Sequence, residues 1–344
     1  MWVVGFTEGG APYGLIEDEF RAADASHDGE PGWRRARFVL RELLEHSSGE
    51  PGVRAEVGHV RMIAQGMSRQ AFAAEVELEP DTGHRSGPYV VLLPRSDSDD
   101  GLNERVQREL ALLARLPDLR LSVGIPEVVG AYPEPRGLAL VRRFVPGVEL
   151  DLREGRQPGV RPCETLAQVM ACIHRLEGAR FADLLPGSET RREHALTALR
   201  VFDGLAGPEV GEARAWAEAH LPPVSPSVLL HGDLLGQNIL LAPDAPPTVI
   251  DWEHARRGDP AYDIAIVTRG VKHPFQLQHG RERLLEEYHG NGGAPVTLGQ
   301  VALHELCLVA GWYRDSLAGV GLQPPHEELA RMMRILRRAQ RYAD

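Results

Sequence analysis

The feature that most constrains this chain is a short polar segment set between apolar runs in its second half. Val228–Leu230 is an apolar run that leads directly into His231, Gly232 and Asp233, and Asn238 follows five residues after Asp233. Apolar runs of this length are typical of short buried strands. The pattern therefore predicts a loop, rich in hydrogen-bonding side chains, that a buried strand delivers to one place in the fold.

Two more short strands are predicted after this loop, over Ile239–Leu241 and Thr248–Ile250. The residues between them, Pro-Asp-Ala-Pro-Pro, are typical of a turn. A hairpin of this length brings Asn238 and Asp251 close together at its open end. The sequence thus predicts that two carboxylates and one carboxamide share a small volume.

This set of side chains suits phosphoryl transfer. Asp233 would accept or orient the proton of a hydroxyl, while Asn238 and Asp251 supply the oxygen ligands that Mg²⁺ prefers. The metal would neutralise charge on the phosphate being transferred. The spacing of Asp233 and Asn238 also matches the catalytic-loop pattern of protein kinases.

Three motifs together resemble the aminoglycoside phosphotransferase family, over roughly residues 55–315. They are His231-Gly-Asp-Leu-x-x-x-Asn238, Ile250-Asp-Trp-Glu253 and Gly258-Asp-Pro-x-x-Asp263. The resemblance implies an α+β, protein-kinase-like bilobal fold, with a small β-rich N-lobe that carries one long helix and a larger, mainly helical C-lobe. It also implies transfer of a phosphoryl group from ATP or GTP, held with Mg²⁺, to a hydroxyl of a small molecule.

The same resemblance assigns roles to the motif residues. Asp233 is the catalytic base or hydroxyl-orienting residue, and Asn238 and Asp251 hold the metal. Asp263 is structural: we expect it to accept hydrogen bonds from the backbone of the catalytic loop and to cap the following helix. His231 is expected to brace the loop backbone and the following aspartate rather than to react directly.

The residues that bind the nucleotide are predicted to lie in the first half of the chain. Gly66, Ser68 and Arg69 lie in a turn between two strands that resembles a phosphate-covering loop, where Gly66 allows close backbone approach and Ser68 donates to a phosphate. Glu109, on a helix predicted over 102–116, would pair with a basic strand residue, or else face solvent. Phe144 lies in a hinge segment, 141–147, and would line the purine pocket.

One departure from the family pattern concerns the strand Tyr89–Pro94. Alignment on Pro94 puts Leu92 where the family has a lysine or arginine, and we expect Arg61 or Arg69 to reach the phosphates instead. The departure keeps a second function open, a nucleotide-binding pseudokinase with a regulatory or assembly role. A protein kinase is disfavoured because no activation segment fits between Asp251 and Asp263.

The predicted organisation has three parts. Residues 1–50 form an N-terminal extension of unknown role, with helical patterns at Glu17–Ala23 and Trp33–Leu44. Residues 51–145 form the nucleotide-binding N-lobe, and residues 146–344 form the C-lobe with the catalytic loop and the acceptor site. Within the C-lobe, His174 is predicted to be a core-edge residue on an amphipathic helix.

Composition limits the partners. A formal net charge of -11 disfavours nucleic acid and would suit a cationic acceptor, such as an amine-bearing antibiotic or metabolite, although it also serves solubility. Trp312, Tyr313 and Asp315 are either acceptor contacts or ordinary core and surface residues. Three scattered cysteines predict no disulfide or zinc site, and no segment is apolar enough for a signal peptide or membrane span. We therefore expect a cytoplasmic protein; its oligomeric state is not readable from the residues.

Overall fold

The computed structural model describes residues 5–6, 12–13, 32–47, 52–66, 68–80, 85–95 and 101–342. Its contacts divide the chain into two compact units. Unit 1 comprises residues 1–120 and 125–146, and unit 2 comprises residues 121–124 and 147–344. The division after residue 146 lies inside the segment that the sequence marks as a hinge.

Unit 1 is built on an antiparallel sheet. Its strands are β3 (Arg54–Val57), β4 (Arg61–Gln65), β5 (Arg69–Glu79), β6 (Gly87–Pro94), β7 (Val128–Glu134) and β8 (Gly137–Arg143), after a separate antiparallel pair, β1 (Gly5–Phe6) and β2 (Pro12–Tyr13). The strand order is β3-β5-β6-β8-β7, and β4 pairs with β5 beside β3. The long strand β5 is therefore a central strand of the sheet, with the short strands β3 and β4 paired along one edge and β6 along the other.

Alternation along β5 gives the sheet two buried faces, since neighbouring side chains of a strand point in opposite directions. One face carries Phe72, Ala74 and Val76 into the main core of the unit. The opposite face carries Ala71 and Ala73 into a smaller apolar cluster.

A helix from the first fifty residues belongs to the core of unit 1. Helix α1 (Gly32–Ser47) buries Ala36, Val39, Leu40 and Leu44 completely, a spacing that places them on one helical face. These side chains pack with the main core of the sheet. The described helix of the predicted extension thus packs on the sheet of unit 1, and the helical pattern at Glu17–Ala23 lies outside the described residues.

The second helix of unit 1 is α2 (Leu102–Arg115). Its buried face includes Leu102, Val106 and Leu112, and Pro117 follows in a 3-10 turn that ends the helix. Within residues 51–145, α2 is the long helix that the sequence predicts for the N-lobe. This helix presents Glu109 to the protein interior.

Unit 2 is mainly helical. Its helices are α3 (Pro162–His174), α4 (Arg191–Leu199), α5 (Pro208–Ala219), α6 (Ala261–Thr268), α7 (Gly280–Gly290), α8 (Leu298–Leu317) and α9 (Pro325–Ala339). Its short strands are β9 (Val148–Glu149), β10 (Val228–Leu230), β11 (Ile239–Leu241), β12 (Thr248–Val249) and β13 (Arg256–Gly258). Strand β10 pairs with β13, and β11 lies between β12 and β9. The bilobal α+β architecture predicted from the sequence is confirmed.

The longest helix of unit 2 shows how local sequence sets an element boundary. The Thr297 side chain accepts a hydrogen bond from the backbone N–H of Gln300, and the Gln300 side chain accepts one from the backbone N–H of Thr297. This reciprocal capping box satisfies two N–H groups that a helix start otherwise leaves unpaired. Helix α8 is thereby fixed at its first turn, and it carries the packed face on which α9 rests.

Candidate active site

The catalytic loop connects β10 to β11 and places Asp233 against Asn238. The Nδ2 atom of Asn238 donates to the backbone oxygen of Asp233 at 2.7 Å and to its Oδ2 at 3.3 Å. The Nδ2 atom of Asn238 is therefore already engaged in hydrogen bonds within the loop. The Oδ1 atom of Asn238 has no hydrogen-bond donor among the described residues, so it is available as a ligand.

Asp251 enters the same region from the other strand of the hairpin. The backbone N–H of Ile250 donates to the backbone oxygen of Asn238 at 2.9 Å, which fixes the next residue, Asp251, beside the loop. Asp251 has left-handed backbone angles, φ 66 and ψ 58, so the chain turns sharply there into a 3-10 turn. The two strands thus bring Asp233, Asn238 and Asp251 together.

Asp233 is a carboxylate in an unfavourable environment. Burial raises its pKa above the ordinary aspartate value, His231 opposes the shift, and the nearby charge of Asp251 raises the pKa further. His254 and Arg269 lower it by smaller amounts. Two carboxylates close enough to repel each other favour either a shared proton or a bound cation.

His231 ties the two aspartate-bearing segments together. Its Nδ1 accepts from the backbone N–H of Asp233 at 3.3 Å, so its Nε2 carries the proton and donates to the Ile250 oxygen at 3.0 Å. Burial lowers the pKa of His231, which keeps the ring neutral. Both ring nitrogens are thus engaged by the backbone, as expected from the sequence, and the ring packs against Trp252 with centroids 4.7 Å apart.

Asp263 holds the other side of the loop. Its Oδ2 accepts from the N–H of His231 and its Oδ1 from the N–H of Gly232, both at 2.9 Å. The Nε2 of His174 lies 3.1 Å from the same Oδ2. Burial alone would raise the pKa of Asp263, but the hydrogen bonds and charges of His174 and His231 outweigh it, and the pKa is lowered.

Two expectations about this brace need correction. Asp263 does not cap helix α6, because it lies within the first turn and both carboxylate oxygens face the catalytic loop. The residue that approaches the helix start is Asp259, whose Oδ1 accepts from the N–H of Ala261 at 3.4 Å. His174 is not at the core edge but fully buried, and its Nδ1 lies 3.1 Å from the Tyr288 hydroxyl. A histidine on the apolar face of a helix, which needs a buried partner, was the available signal.

A second buried acid fixes the turn before α6. Asp259 accepts from Arg191 Nε at 2.8 Å, and the Nε2 of His304 lies 3.1 Å from its other oxygen. Burial raises the pKa of Asp259, yet His304 and Arg191 outweigh that effect and lower it. Gly258 is required here, because a Cβ atom would lie 2.7 Å from the His194 ring. Helices α4 and α8 therefore anchor the segment that braces the catalytic loop.

The predicted phosphate-end residues lie together in unit 1. Gly66 donates its N–H to the backbone oxygen of Arg69 at 2.9 Å, which closes the turn that holds Ser68. The Nη1 of Arg69 lies 2.7 Å from Glu109 Oε2, and both side chains are almost completely buried. Glu109 is therefore an ion-paired interior residue, and the alternative of a solvent-facing glutamate is wrong.

The missing strand cation has a structural counterpart. Leu92 lies on β6 directly opposite Ala71 of β5 and opposite Leu140 of β8. Arg69 begins β5, and its guanidinium lies beside the Glu109 carboxylate. Arg61, the other candidate, lies on the exposed side of β4. The basic partner of Glu109 thus comes from the strand before the expected one.

Phe144 borders the apolar cluster on the second face of the sheet. That cluster has Ala71, Ala73 and Val90 at its centre, with Leu92 and Phe144 packed partly exposed against it. The backbone N–H of Phe144 donates to the oxygen of Pro88 at 3.0 Å, which fixes the start of the hinge segment. Phe144 is thus a partly buried member of this apolar cluster.

Comparison with known families decides the classification. The model of the phosphotransferase enzyme family matches residues 59–298, more than two thirds of the 344-residue chain. The chain belongs to the phosphotransferase enzyme family. Membership confirms the family predicted from the three motifs, and it supports a small-molecule phosphotransferase over a pseudokinase. Comparison with curated protein sequences gives no significant match.

Solved structures of similar fold include antibiotic phosphotransferases. A thermostable mutant of aminoglycoside phosphotransferase APH(4)-Ia, in its apo form, has a TM-score of 0.59 at 20% identity, covering 87% of this chain and 98% of that one. Macrolide 2'-phosphotransferase MphH from Brachybacterium faecium has a TM-score of 0.57 at 22% identity, covering 85% and 97%. The GDP and kanamycin complex of APH(2")-IIia has a TM-score of 0.55 at 14% identity, covering 89% and 100%. At these identities the likeness shows the fold.

Two searches of the described residues give negative results. None of the helices in the described ranges is both long and apolar enough to cross a membrane. Within the same ranges, no group of three or more His, Cys, Asp or Glu side chains is arranged to hold a metal ion. The predicted magnesium site uses one carboxylate and one carboxamide, so it would be completed by phosphate oxygens and water.

Proposed function

We propose that this chain transfers the γ-phosphoryl group of ATP or GTP, bound with Mg²⁺, to a hydroxyl of a small molecule. The observation that carries the proposal is the convergence of Asp233, Asn238 and Asp251 on one loop and its hairpin. In the reaction, the acceptor oxygen forms a bond to the γ-phosphorus while the bond to the bridging oxygen breaks. The nucleoside diphosphate leaves, and the hydroxyl proton passes to the Asp233 carboxylate.

Asp233 is suited to the role of base because its environment raises its pKa towards the working range of an enzyme. Asn238 fixes the position of the loop by donating to the backbone oxygen of Asp233, and the His231 ring accepts a hydrogen bond from the backbone N–H of Asp233. Contacts with neighbouring residues thus hold the Asp233 carboxylate in a fixed orientation. Fixed orientation of a base towards the attacking oxygen is a major part of phosphoryl-transfer catalysis.

Asn238 and Asp251 would hold the magnesium ion. Their donor set fits: the amide oxygen of Asn238 has no donor among the described residues, and the Asp251 carboxylate lies close enough to Asp233 to raise its pKa. A divalent cation at this point would relieve that repulsion. When bound, Mg²⁺ neutralises charge on the phosphate oxygens.

Cytoplasmic localisation of the protein also remains part of the proposal.

Arg69 would grip the phosphates in place of the residue replaced by Leu92. The only lysine in the chain is Lys272, in unit 2, so an arginine must supply this cation within unit 1. Glu109 holds the Arg69 guanidinium in place at 2.7 Å. The neighbouring turn offers the backbone of Gly66 and the hydroxyl of Ser68 to the same phosphates.

The purine would lie on the second face of the unit 1 sheet. Ala71, Ala73 and Phe144 belong to one apolar cluster on this face, and the partly buried Phe144 ring would contact the base. Backbone groups of the hinge segment would bind the edge of the base. Such backbone contacts suit adenine and guanine alike, so the proposal covers ATP and GTP. A complex of an APH(4)-Ia mutant contains ADP, and a complex of APH(2")-IIia contains GDP.

The deciding experiment measures Mg²⁺-dependent nucleotide hydrolysis and transfer by Asp233→Asn. We expect transfer to fall by at least about 100-fold, the scale of general acid–base catalysis, while nucleotide affinity is retained. The matched control is Asp244→Asn, the same chemical change at an exposed turn position. Hydrolysis by the wild-type protein that survives Asp233→Asn would contradict the assigned base, and no turnover by wild type with any acceptor would favour the pseudokinase.

A second experiment tests Arg69 separately from Arg61. The double variant Arg69→Gln/Glu109→Gln removes both charges at once, so no unpaired charge is left buried. We expect this variant to raise the KM for nucleotide, whereas Arg61→Gln on the exposed edge leaves it unchanged. Equal effects of the two changes would show that the buried pair does not serve the phosphates.

A further inference from the structure

Tyr288, near the end of α7, is a buried tyrosine that contacts the brace of the catalytic loop. Its hydroxyl lies 3.1 Å from Nδ1 of His174, and Nε2 of His174 lies 3.1 Å from Oδ2 of Asp263. The same Oδ2 accepts from the backbone N–H of His231, two residues before Asp233. A continuous series of hydrogen bonds therefore runs from Tyr288 to the backbone of the catalytic loop.

The direction of each hydrogen bond in this series follows from its partners. Although burial opposes it, the hydrogen bonds and charges of His174 and His231 lower the pKa of Asp263, so this carboxylate is ionised and only accepts. Nε2 of His174 is consequently the donor, and in the neutral ring Nδ1 is left as the acceptor. The Tyr288 oxygen accepts from the backbone N–H of Ala294 at 3.2 Å, so the Tyr288 proton points to Nδ1. Burial raises the pKa of Tyr288, so the hydroxyl keeps this proton.

The Tyr288 hydroxyl selects one of the two neutral tautomers of His174. A donor at Nδ1 stabilises the ring that carries its proton on Nε2, which is the form that donates to Asp263. In the other tautomer the Nε2 lone pair would face the Asp263 carboxylate, so two acceptors would meet inside the protein. The two rings are almost completely buried and pack with centroids 5.6 Å apart, so water is a poor substitute for either partner.

Neighbouring segments hold Tyr288 in place. Gly293 closes the turn after α7 by donating its N–H to the backbone oxygen of Tyr288 at 2.9 Å, and a Cβ atom at Gly293 would clash with the ring. Two residues later, the oxygen of Pro295 accepts from Arg191 at 2.8 Å, and Arg191 also holds Asp259. The segment after α7 is thus tied to both of the buried acids that brace the site.

We propose that Tyr288 is a positioning residue for phosphoryl transfer: its hydroxyl fixes the tautomer of His174, and His174 in that form holds Asp263 and the catalytic-loop backbone in the reactive position. The proposal rests on the proposed phosphotransferase function and adds a residue that acts on Asp233 through two others. A small displacement of a base costs much of its catalytic effect, because the reacting atoms must be aligned. Tyr288 therefore affects the rate of transfer and not the affinity for nucleotide.

The first test removes the hydroxyl and retains the ring, in Tyr288→Phe. Mg²⁺-dependent hydrolysis of ATP and of GTP is measured well below the unfolding transition. We expect kcat to fall by about 3- to 10-fold, the scale of one hydrogen bond, while the KM for nucleotide stays unchanged. The matched control is Tyr132→Phe on β7, because the Tyr132 hydroxyl has no hydrogen-bond partner among the described residues.

A core variant separates positioning from stability. Val210→Ala removes two methyl groups from the apolar core that α5 shares with α4, α8 and α9, a cluster that includes neither Tyr288 nor His174. We expect it to lower the midpoint of thermal unfolding at least as much as Tyr288→Phe does, and to leave kcat unchanged. A buried tyrosine that only stabilised the fold would give the same kcat in both variants.

Nitrogen NMR of the histidine side chains reads the tautomer directly, without any turnover. We expect His174 in the wild-type protein to carry its proton on Nε2, and this form to lose occupancy in Tyr288→Phe. The His174 signal is assigned by its absence in His174→Gln.

Two variants of His174 test the next step of the series. His174→Gln keeps an N–H donor for Asp263, whereas His174→Leu offers none. We expect kcat of His174→Gln to exceed that of His174→Leu by about tenfold or more, the scale of a hydrogen bond to a charged group. Should His174→Leu fail to fold, Tyr288→Phe and the NMR measurement decide the proposal.

Several results would overturn the role of Tyr288 while the wild-type protein hydrolyses nucleotide. They are a His174 proton on Nδ1 in the wild type, an unchanged tautomer in Tyr288→Phe, and a kcat of Tyr288→Phe no lower than that of Val210→Ala. A raised KM with unchanged kcat would also overturn it, because Tyr288 would then act on binding. Absence of hydrolysis by the wild-type protein would overturn the proposed function itself, and with it any role of Tyr288 in the reaction.

Discussion

Asp263→Asn is the most informative single change in the scaffold of the site. The Asp263 carboxylate accepts two backbone N–H groups of the catalytic loop, at 2.9 Å each, and faces His174 Nε2 at 3.1 Å. Asparagine has the same shape but only one oxygen. Its NH2 group would have to face a backbone N–H, so one donor would meet another donor inside the protein.

The cost can be worked out from these contacts. Loss of one hydrogen bond to a charged group costs about 1.5–3 kcal/mol, and a buried N–H left unsatisfied costs about 1–3 kcal/mol more. The two terms together give roughly 2.5–6 kcal/mol, a large part of the 5–15 kcal/mol typical of a folded domain. For a unit of this size we expect the midpoint of thermal unfolding to fall by roughly 5–24 °C.

Thermal denaturation and steady-state transfer kinetics measure the two consequences. Because Asp263 fixes the backbone beside Asp233, kcat should fall by at least about tenfold even below the unfolding transition. Asp244→Asn, in an exposed turn, should change neither quantity. A loss of stability under about 1 kcal/mol, within the range of ordinary surface changes, together with an unchanged kcat would refute the reasoning.

Three further predictions concern the loop itself. Asp233→Asn should be no less stable than the wild-type protein at neutral pH, because the raised pKa of Asp233 means that folding disfavours the charged carboxylate. This penalty on the free energy of unfolding is absent below the pKa of the unfolded state and grows as the pH rises through the pKa of the folded state. Chemical denaturation of both proteins at pH 5 and pH 8 measures the difference. The acid limb of the pH profile of kcat should lie above the ordinary aspartate value of about 4, and a limb below that value would contradict the raised pKa of Asp233. Gly232→Ala should abolish transfer, because at φ 86 its Cβ atom would clash with the backbone oxygen of His254; activity near the wild-type level would show that the loop adapts.

The proximity of the three residues proposed for catalysis was predictable because they are local in sequence. Asp233, Asn238 and Asp251 lie within one strand-loop-hairpin unit, and the lengths of two short strands and one turn determine which side chains meet. Apolar runs and turn residues are strong local signals. The bracing pattern of His231 is equally local, since both of its backbone partners lie on the same unit.

The features that sequence reasoning missed depend on distant segments. Arg69 and Glu109 are 40 residues apart, and His174 and Asp263 are 89 apart. The periodicity of the sequence does not indicate which of two neighbouring strands supplies the cation that pairs with the glutamate of a helix. Helix α1 was read as part of an extension for the same reason, because only the tertiary fold shows that its apolar face completes the core of unit 1.

Different residues contribute to the stability of the site and to its proposed chemistry. Asp259 and Asp263 are buried acids whose hydrogen bonds lower their pKa values, so their contribution to stability is present above the unfolded pKa and is lost as pH falls through the folded one. Asp233 shows the opposite shift. This contrast separates two bracing carboxylates from the one that we assign to proton transfer.

The account depends most on the position of one cation. Crystals grown with a non-hydrolysable nucleotide analogue and Mn²⁺ in place of Mg²⁺ would reveal it directly through anomalous scattering. We predict a single strong peak bound by Asn238 Oδ1 and the Asp251 carboxylate, and its loss in Asp251→Ala. A nucleotide bound without metal at these two side chains, or a peak coordinated elsewhere, would contradict the account.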